Sequence, residues 1–197
     1  MGEMIKMVVV LTVLSVISGG GLKWIEEFAK PKIEAQVLEN VKGPAIREIL
    51  AGASNDPVES RFRIEDGEQE HTVFVGAFDG KADTVVLESE GRGYGGPIGL
   101  LVAVNVEKDQ LLGVSVTTHT ETPGLGAQAK DNPAFAAQFR GKPVDKPFAV
   151  TNDGGDISAI SGATITSRAV VDAANRALTL YQNFKPQLTE EMQRAVK

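Results

Sequence analysis

Cysteine is absent from the 197 residues. That removes disulfides, thiol catalysis, thiolate zinc, iron–sulfur ligation and a lipid-modified N-terminal cysteine together. Histidine is scarce: His71 and His119 stand alone, too few for a multi-histidine metal centre, so no metal site is expected. No block of Lys or Arg interrupts the chain, and 20 basic against 26 acidic residues leave a formal net charge of −6. A chain of that sign repels polyanions, so no nucleic-acid partner is expected. What remains is carboxylate chemistry, hydroxyl chemistry, or an organic cofactor.

Apolar residues make up 42% and charged residues 23%, enough of each for a packed core beneath a solvated surface. The length suits one domain with an appendage. This balance excludes a wholly disordered chain, a collagen-like one and a polytopic membrane protein. One long apolar run lies between Lys6 and Lys23, where 16 residues carry no charge. At about 1.5 Å per residue they cover roughly 24 Å, short of the roughly 30 Å hydrocarbon core of a bilayer. Snorkelling of both lysines, with Trp24 seated at the interface, closes the gap. A single transmembrane helix over residues 4–28 is therefore expected. A cleaved leader shares the pattern of lysine, apolar run and small residues at Ser18-Gly19; a retained span is the expectation taken. Gly19-Gly20-Gly21 weakens a helix in water by about 1 kcal/mol per residue, yet lets a neighbouring helix come close, so the span is expected to pack on other membrane subunits. Lys6 favours a cytoplasmic N-terminus, whereas Lys23, Lys30 and Lys32 oppose it.

Residues 29–55 read as a helical connector, amphipathic from Pro31 to Ala53 with Gly43-Pro44 interrupting it. Alternating and β-branched runs follow: Arg61 to Glu65, Thr72 to Phe78, Asp83 to Glu88, Ile98 to Val106 and Leu111 to Thr118. Turn signals separate them and no helix intervenes, which points to a mostly antiparallel sheet. Pro133 to Phe139 suits one or two helical turns. A long helix is expected from Thr164 to about Phe184, with Ile165, Val170, Ala174, Leu178 and Tyr181 at helical spacing, and Thr189 opens a short C-terminal helix. The expected class is α+β: a mostly antiparallel sheet flanked by helices over residues 56–197, behind one N-terminal transmembrane helix.

Three stretches hold more glycine and hydroxyl than folding alone requires. Gly91-Arg92-Gly93-Tyr94-Gly95-Gly96-Pro97-Ile98-Gly99 places five glycines in nine residues just before a strand, a backbone that turns tightly or admits a flat ligand. No strand–turn–helix context follows it, so a Rossmann reading is poor. His119-Thr120-Glu121-Thr122-Pro123-Gly124-Leu125-Gly126 follows an apolar strand; Glu121 and Thr122 suit the edge of a heteroaromatic ring and Leu125 its face. The plain alternatives are a solvated loop acid at Glu121 and a satisfied strand-end residue at His119. Ser158 to Ser167 runs into the long helix and crowds Ser161, Thr164, Thr166 and Ser167 around its N-terminus. First-turn amides there are unpaired and the dipole is positive, an arrangement that binds an anionic group such as phosphate. Ordinary capping needs one hydroxyl only.

Ser161-Gly162-Ala163-Thr164-Ile165-Thr166-Ser167 resembles the covalent-flavin attachment motif of the FMN-binding domain family of RnfG and NqrC. These are subunits of the ion-translocating Rnf complexes and the Na+-translocating NADH:quinone oxidoreductases. His119 to Gly126 and Tyr94-Gly95-Gly96-Pro97-Ile98 resemble that family's loops in the same chain order, and the length favours RnfG. The resemblance covers essentially the whole chain. It implies that FMN is esterified through its phosphate to Thr164 by a separate flavin transferase. Ser161, Gly162, Ala163, Ile165 and Thr166 would hold the phosphate end. Glu121, Thr122, Gly124, Leu125, Tyr94 and Gly95 would border the ring. One slot departs from the family pattern: the acidic residue usual three positions before the motif's first serine is Ser158 here, with Asp156 two residues earlier.

The resemblance further implies an electron-carrier subunit of a ferredoxin:NAD+ oxidoreductase, working with other membrane and peripheral subunits. The span would sit in the cytoplasmic (inner) membrane and the flavin domain on its extracytoplasmic side. No residue need act as a catalytic acid, base or nucleophile in turnover, since the redox chemistry is the cofactor's own. Two alternatives stay open: an NqrC-like protein, and a membrane-anchored binding protein that holds a phosphorylated small ligand reversibly at the same helix N-terminus.

Overall fold

A computed structural model describes residues 2–67 and 69–196. The chain divides into two compact units, with the boundary between Asn40 and Val41. The first is dominated by helix α1, Gly2–Val37, none of whose residues is buried. Its apolar side chains from Met4 to Ile17 lie on all sides rather than in one stripe, the pattern of a helix whose surroundings are themselves apolar. It is long and apolar enough to cross a bilayer. Pro31 sits inside α1, where the ring forgoes the bond to the Glu27 carbonyl without ending the helix.

A π-helical turn, Leu38–Lys42, leads into α2, Gly43–Ile49. The interruption expected at Gly43-Pro44 falls one turn earlier, because a proline in the first turn of a helix loses no bond that the helix could have made. Five strands follow: β1 Arg61–Asp66, β2 Gln69–Phe78, β3 Lys81–Arg92, β4 Pro97–Asn105 and β5 Gln110–Val116. They pair antiparallel in chain order as one meander. Each of the expected runs is a strand.

The central strands are buried on both faces, which explains their continuous apolar stretches Val73–Ala77, Val85–Leu87 and Leu100–Val104. Val73, Val75, Val85, Leu87, Leu100 and Val102 face the long helix α5, Thr164–Ala195, and share its core. Their neighbours Phe74, Val86, Leu101 and Ala103 alternate to the other face, where Ile46 of α2 and Leu50 just past its end are buried. Two short helices, α3 Gln128–Asp131 and α4 Pro133–Ala137, close one end. Asn132 caps α4 by accepting from Ala134 N at 3.1 Å.

The separate C-terminal helix expected from Thr189 does not form. Helix α5 continues through Pro186 to Ala195, because Leu188 and Met192 extend its buried face. The Thr189 hydroxyl donates back to Lys185 O at 2.8 Å instead of capping a new start.

Candidate functional site

The three glycine- and hydroxyl-rich stretches meet at one place. The first is the β3–β4 connection, closed by Gly93 N donating to Gly96 O at 2.8 Å. The second leaves β5 and turns at residues 122–127, where Leu125 N and Ala127 N both donate to Thr122 O at 3.2 Å. The third is the start of α5. Together they enclose a cleft of about 440 Å³, within the range of small-molecule sites.

Thr164 is the first residue of α5, half-buried, and it lines this cleft with Gly162, Ala163 and Ile165. The residue at the N-cap is Ala163, which has no side-chain oxygen to offer. The first-turn amides are therefore left to whatever occupies the cleft, with the positive end of a 32-residue helix behind them.

The four hydroxyls of this segment do not converge, which corrects the crowding expected from the sequence. Ser167 is fully buried: its Oγ accepts from Ile160 N at 2.9 Å and donates to Ala163 O at 3.0 Å, stapling the preceding turn. Thr166 is 1% exposed and its hydroxyl is given to Glu121. Ser161 is exposed and outside the cleft lining. Of the four, Thr164 is the one that lines the cleft with a hydroxyl taking no partner among the described residues.

Glu121 reaches the lining from the second loop, with Oε1 accepting from Gly95 N at 2.7 Å and Oε2 from Thr166 Oγ1. Both oxygens are thus engaged within the protein, although the sequence suggested an edge contact to a ring. His119 Nδ1 accepts from Glu121 N at 3.3 Å, a satisfied strand-end residue. Thr122 lines the rim, and Gly124, at φ +75° and exposed, forms the outer turn beyond it. Gly95 acts through its backbone amide and is not itself lining.

Three exposed side chains mark the cleft as a surface meant to be covered. From Val41 onward, among the described residues, the large apolar side chains that stand exposed are Tyr94 at 77%, Leu125 at 50% and Ile165 at 51%, and all three line it. An exposed apolar cluster rimmed by polar groups marks a binding site.

Around this core, Arg168 lies one turn beyond Thr164 and grips Asp153 through Nε at 2.7 Å and Nη2 at 2.8 Å. That guanidinium holds the Asp153 carboxyl below its ordinary range. Asp156 is paired with Lys142. Ser158 is clamped by the Gln138 amide, which accepts from Ser158 N at 2.7 Å and donates to Ser158 O at 3.1 Å. Gly126, which the sequence marked only as the end of a motif, lines the cleft as well. A larger hollow of about 680 Å³ opens elsewhere, among Lys42, His71, Glu88 and Arg176. Its lining mixes polar residues with Leu100, Leu101, Ala177 and Leu180 and includes no part of the attachment-like motif.

Residues 93–179 match the FMN-binding domain family. That span holds every stretch that builds the cleft, and the chain carries it behind an apolar helix. Over 94% of this chain and 92% of the other protein, the sequence is 31% identical to RnfG, of the ion-translocating oxidoreductase complex, from Pseudomonas aeruginosa. The RnfG protein of Methanosarcina acetivorans is 32% identical over 89% of this chain and 93% of its own length. That of Escherichia coli is 40% identical over 63% of each. Among solved structures, the NqrC protein of the Na(+)-translocating NADH-quinone reductase of Parabacteroides distasonis superposes with a TM-score of 0.54 at 28% identity, over 64% of this chain and 74% of that one. Shewanella oneidensis NqrC gives 0.53 at 28% identity, over 71% and 72%. The chain belongs to the RnfG family of ion-translocating oxidoreductase complexes.

Proposed function

We propose that this chain is an electron-carrying subunit of a membrane ion-translocating oxidoreductase complex, and that it holds FMN as a phosphate ester of Thr164 Oγ1. The observation that carries the reading is the N-terminus of α5, which has no side-chain cap and sets its first residue, Thr164, in the lining of the cleft. The residues present suit the group: amides and a helix dipole for an anionic phosphate diester, Leu125 and Ile165 as apolar walls, and Tyr94 as an aromatic rim for a flat ring. When bound, FMN supplies one- and two-electron redox chemistry.

The chain's own tasks are narrower. The first turn of α5 binds the phosphate end, Leu125 and Ile165 keep water from the ring, and Thr122 borders it. No side chain needs to move a proton in turnover. Attachment at Thr164 is the work of a separate flavin transferase. Helix α1 anchors the protein in the cytoplasmic membrane among its partner subunits, and the flavin domain lies outside the cytoplasm. There a covalent link has the most to contribute, because a freely dissociating cofactor is lost to a large outside volume by mass action. The RnfG reading stands ahead of the NqrC-like one because RnfG relatives align with nearly the whole chain, α1 included, whereas the NqrC likeness covers 64–71% of it.

The test is the full chain produced with its transferase and then denatured. Flavin fluorescence that stays with the polypeptide, and a mass raised by one FMN less one water, are expected. Both should vanish in Thr164→Ala. A flavin that leaves on denaturation favours the reversible binding protein instead.

A further inference from the structure

Glu121 is 7% exposed, and a buried carboxylate is tolerated only where its oxygens are partnered. Its partners come from segments distant in the chain: the Gly95 amide, 26 residues earlier, and the Thr166 hydroxyl, 45 residues later. One side chain therefore ties the β3–β4 connection and the first turn of α5 to the loop between them. The surrounding backbone is cut to admit it. A methyl group built on Gly93 would stand 2.5 Å from Glu121 Oε1, and one on Gly126 would stand 2.5 Å from Oε2 and 2.9 Å from Thr166 Oγ1. Neither glycine takes a left-handed backbone, so what they provide is space for this carboxylate.

Thr166 is the third residue of α5 and Thr164 the first. Fixing the hydroxyl of one fixes the turn that carries the other. We propose that Glu121 is the positioning residue of the attachment site: through Thr166 it sets where Thr164 Oγ1 stands, and through Gly95 it holds the opposite wall of the cleft at the matching distance. The role is geometric. A glutamine fulfils it, since its carbonyl accepts from Gly95 N and its amide donates to Thr166 Oγ1, whereas alanine does neither. The proposal rests on Thr164 being the attachment residue.

The test follows the rate of covalent flavin incorporation into full-length chain co-produced with the transferase, read as flavin fluorescence of the denatured band and as intact mass. Glu121→Ala and Thr166→Val should each incorporate flavin about tenfold more slowly or worse, the scale on which misplacing a reacting group slows a reaction. Glu121→Gln and Thr166→Ser should stay near the wild-type rate. The double variant Glu121→Ala/Thr166→Val should be little slower than either single one, because both break the same link. Thermal melting of each variant accompanies the measurement. If Glu121→Ala does not fold, Thr166→Val, which only exchanges the hydroxyl for a methyl group of similar size, decides the matter. Wild-type incorporation in a folded Glu121→Ala or Thr166→Val overturns the proposal, and so does a Glu121→Gln variant as slow as the alanine. A wild-type chain that takes up no covalent flavin overturns the Thr164 reading first, and is a different result.

Discussion

The Tyr181 hydroxyl donates to Asp109 Oδ1 at 2.6 Å, joining the middle of α5 to the turn between β4 and β5, 72 residues away. Asp109 sits there at φ +50°, and Lys185, one turn on from Tyr181, holds both its oxygens at 2.6 Å. The helix whose first residue faces the cleft is thus fastened to the sheet near its middle. Tyr181→Phe keeps the buried ring and loses the bond. A loss of about 1–2 kcal/mol is expected, the range for a hydrogen bond to a charged group at a partly exposed site, and urea unfolding of the domain checks it.

The same tie has a pH signature. The bonds from Lys185 and Tyr181 hold the Asp109 carboxyl below its ordinary value of 3.8. A group whose folded pKa is depressed contributes stability that is complete above the ordinary value and lost as pH falls through the folded one. Asp56, lowered by the Val58 amide and by Arg47, acts in the same direction. Tyr181 is shifted oppositely: burial first, then Asp109, pushes its phenol up, so its contribution is full below its ordinary 10.0 and fades as pH rises above it. Melting temperatures taken from pH 5 down to pH 2 should fall less steeply in Asp109→Asn than in the wild type. An unchanged slope would show that Asp109 does not drive the acid limb.

Leu125 and Ile165 test the walls of the cleft. Both stand about half exposed, so Leu125→Ser or Ile165→Ser should change stability by no more than about 0.5 kcal/mol, as is usual for surface positions. Each should nevertheless open the bound flavin to water. Stronger quenching of its fluorescence by iodide is the expected readout, and quenching equal to the wild type would remove these residues from the wall.

How much of this was legible beforehand varies with the kind of force involved. The strands were legible because runs such as Val73–Ala77 and Leu100–Val104 are short, apolar, carry valines and are bounded by turns, and local patterning suffices for that. The path of α5 past Pro186 was not, since the decision rests on burial of Leu188 and Met192 in a core assembled from distant strands. Leu188→Ala should accordingly cost about 2–4 kcal/mol, the usual range for emptying a buried leucine site; a helix that ended at Phe184 would leave that residue free to change at little cost. At the cleft, the gathering of the three motifs followed from the family resemblance, which put the phosphate end on one and the ring border on the other two. The assignment of hydroxyls could not, because Thr166 and Ser167 are taken by Glu121 and by the backbone of residues 160–163, partners visible only in three dimensions.

The glycines of α1 bear on assembly. Among the described residues of its own unit, a methyl group built on Gly19, Gly20 or Gly21 would meet nothing within 4 Å, so the helix surface there leaves space for a neighbouring helix. Gly20→Leu should reduce co-purification of partner subunits from membranes while leaving insertion of the chain intact. Undiminished co-purification would contradict that use of the glycines.

Thr164 as the site of a covalent flavin is tested most directly by mass spectrometry of the tryptic fragment that ends at Arg168. The expected spectrum shows that fragment heavier by FMN less water, with fragmentation placing the added mass on Thr164. An unmodified fragment from flavin-bearing protein, or the added mass on Ser161 or Thr166, would contradict it.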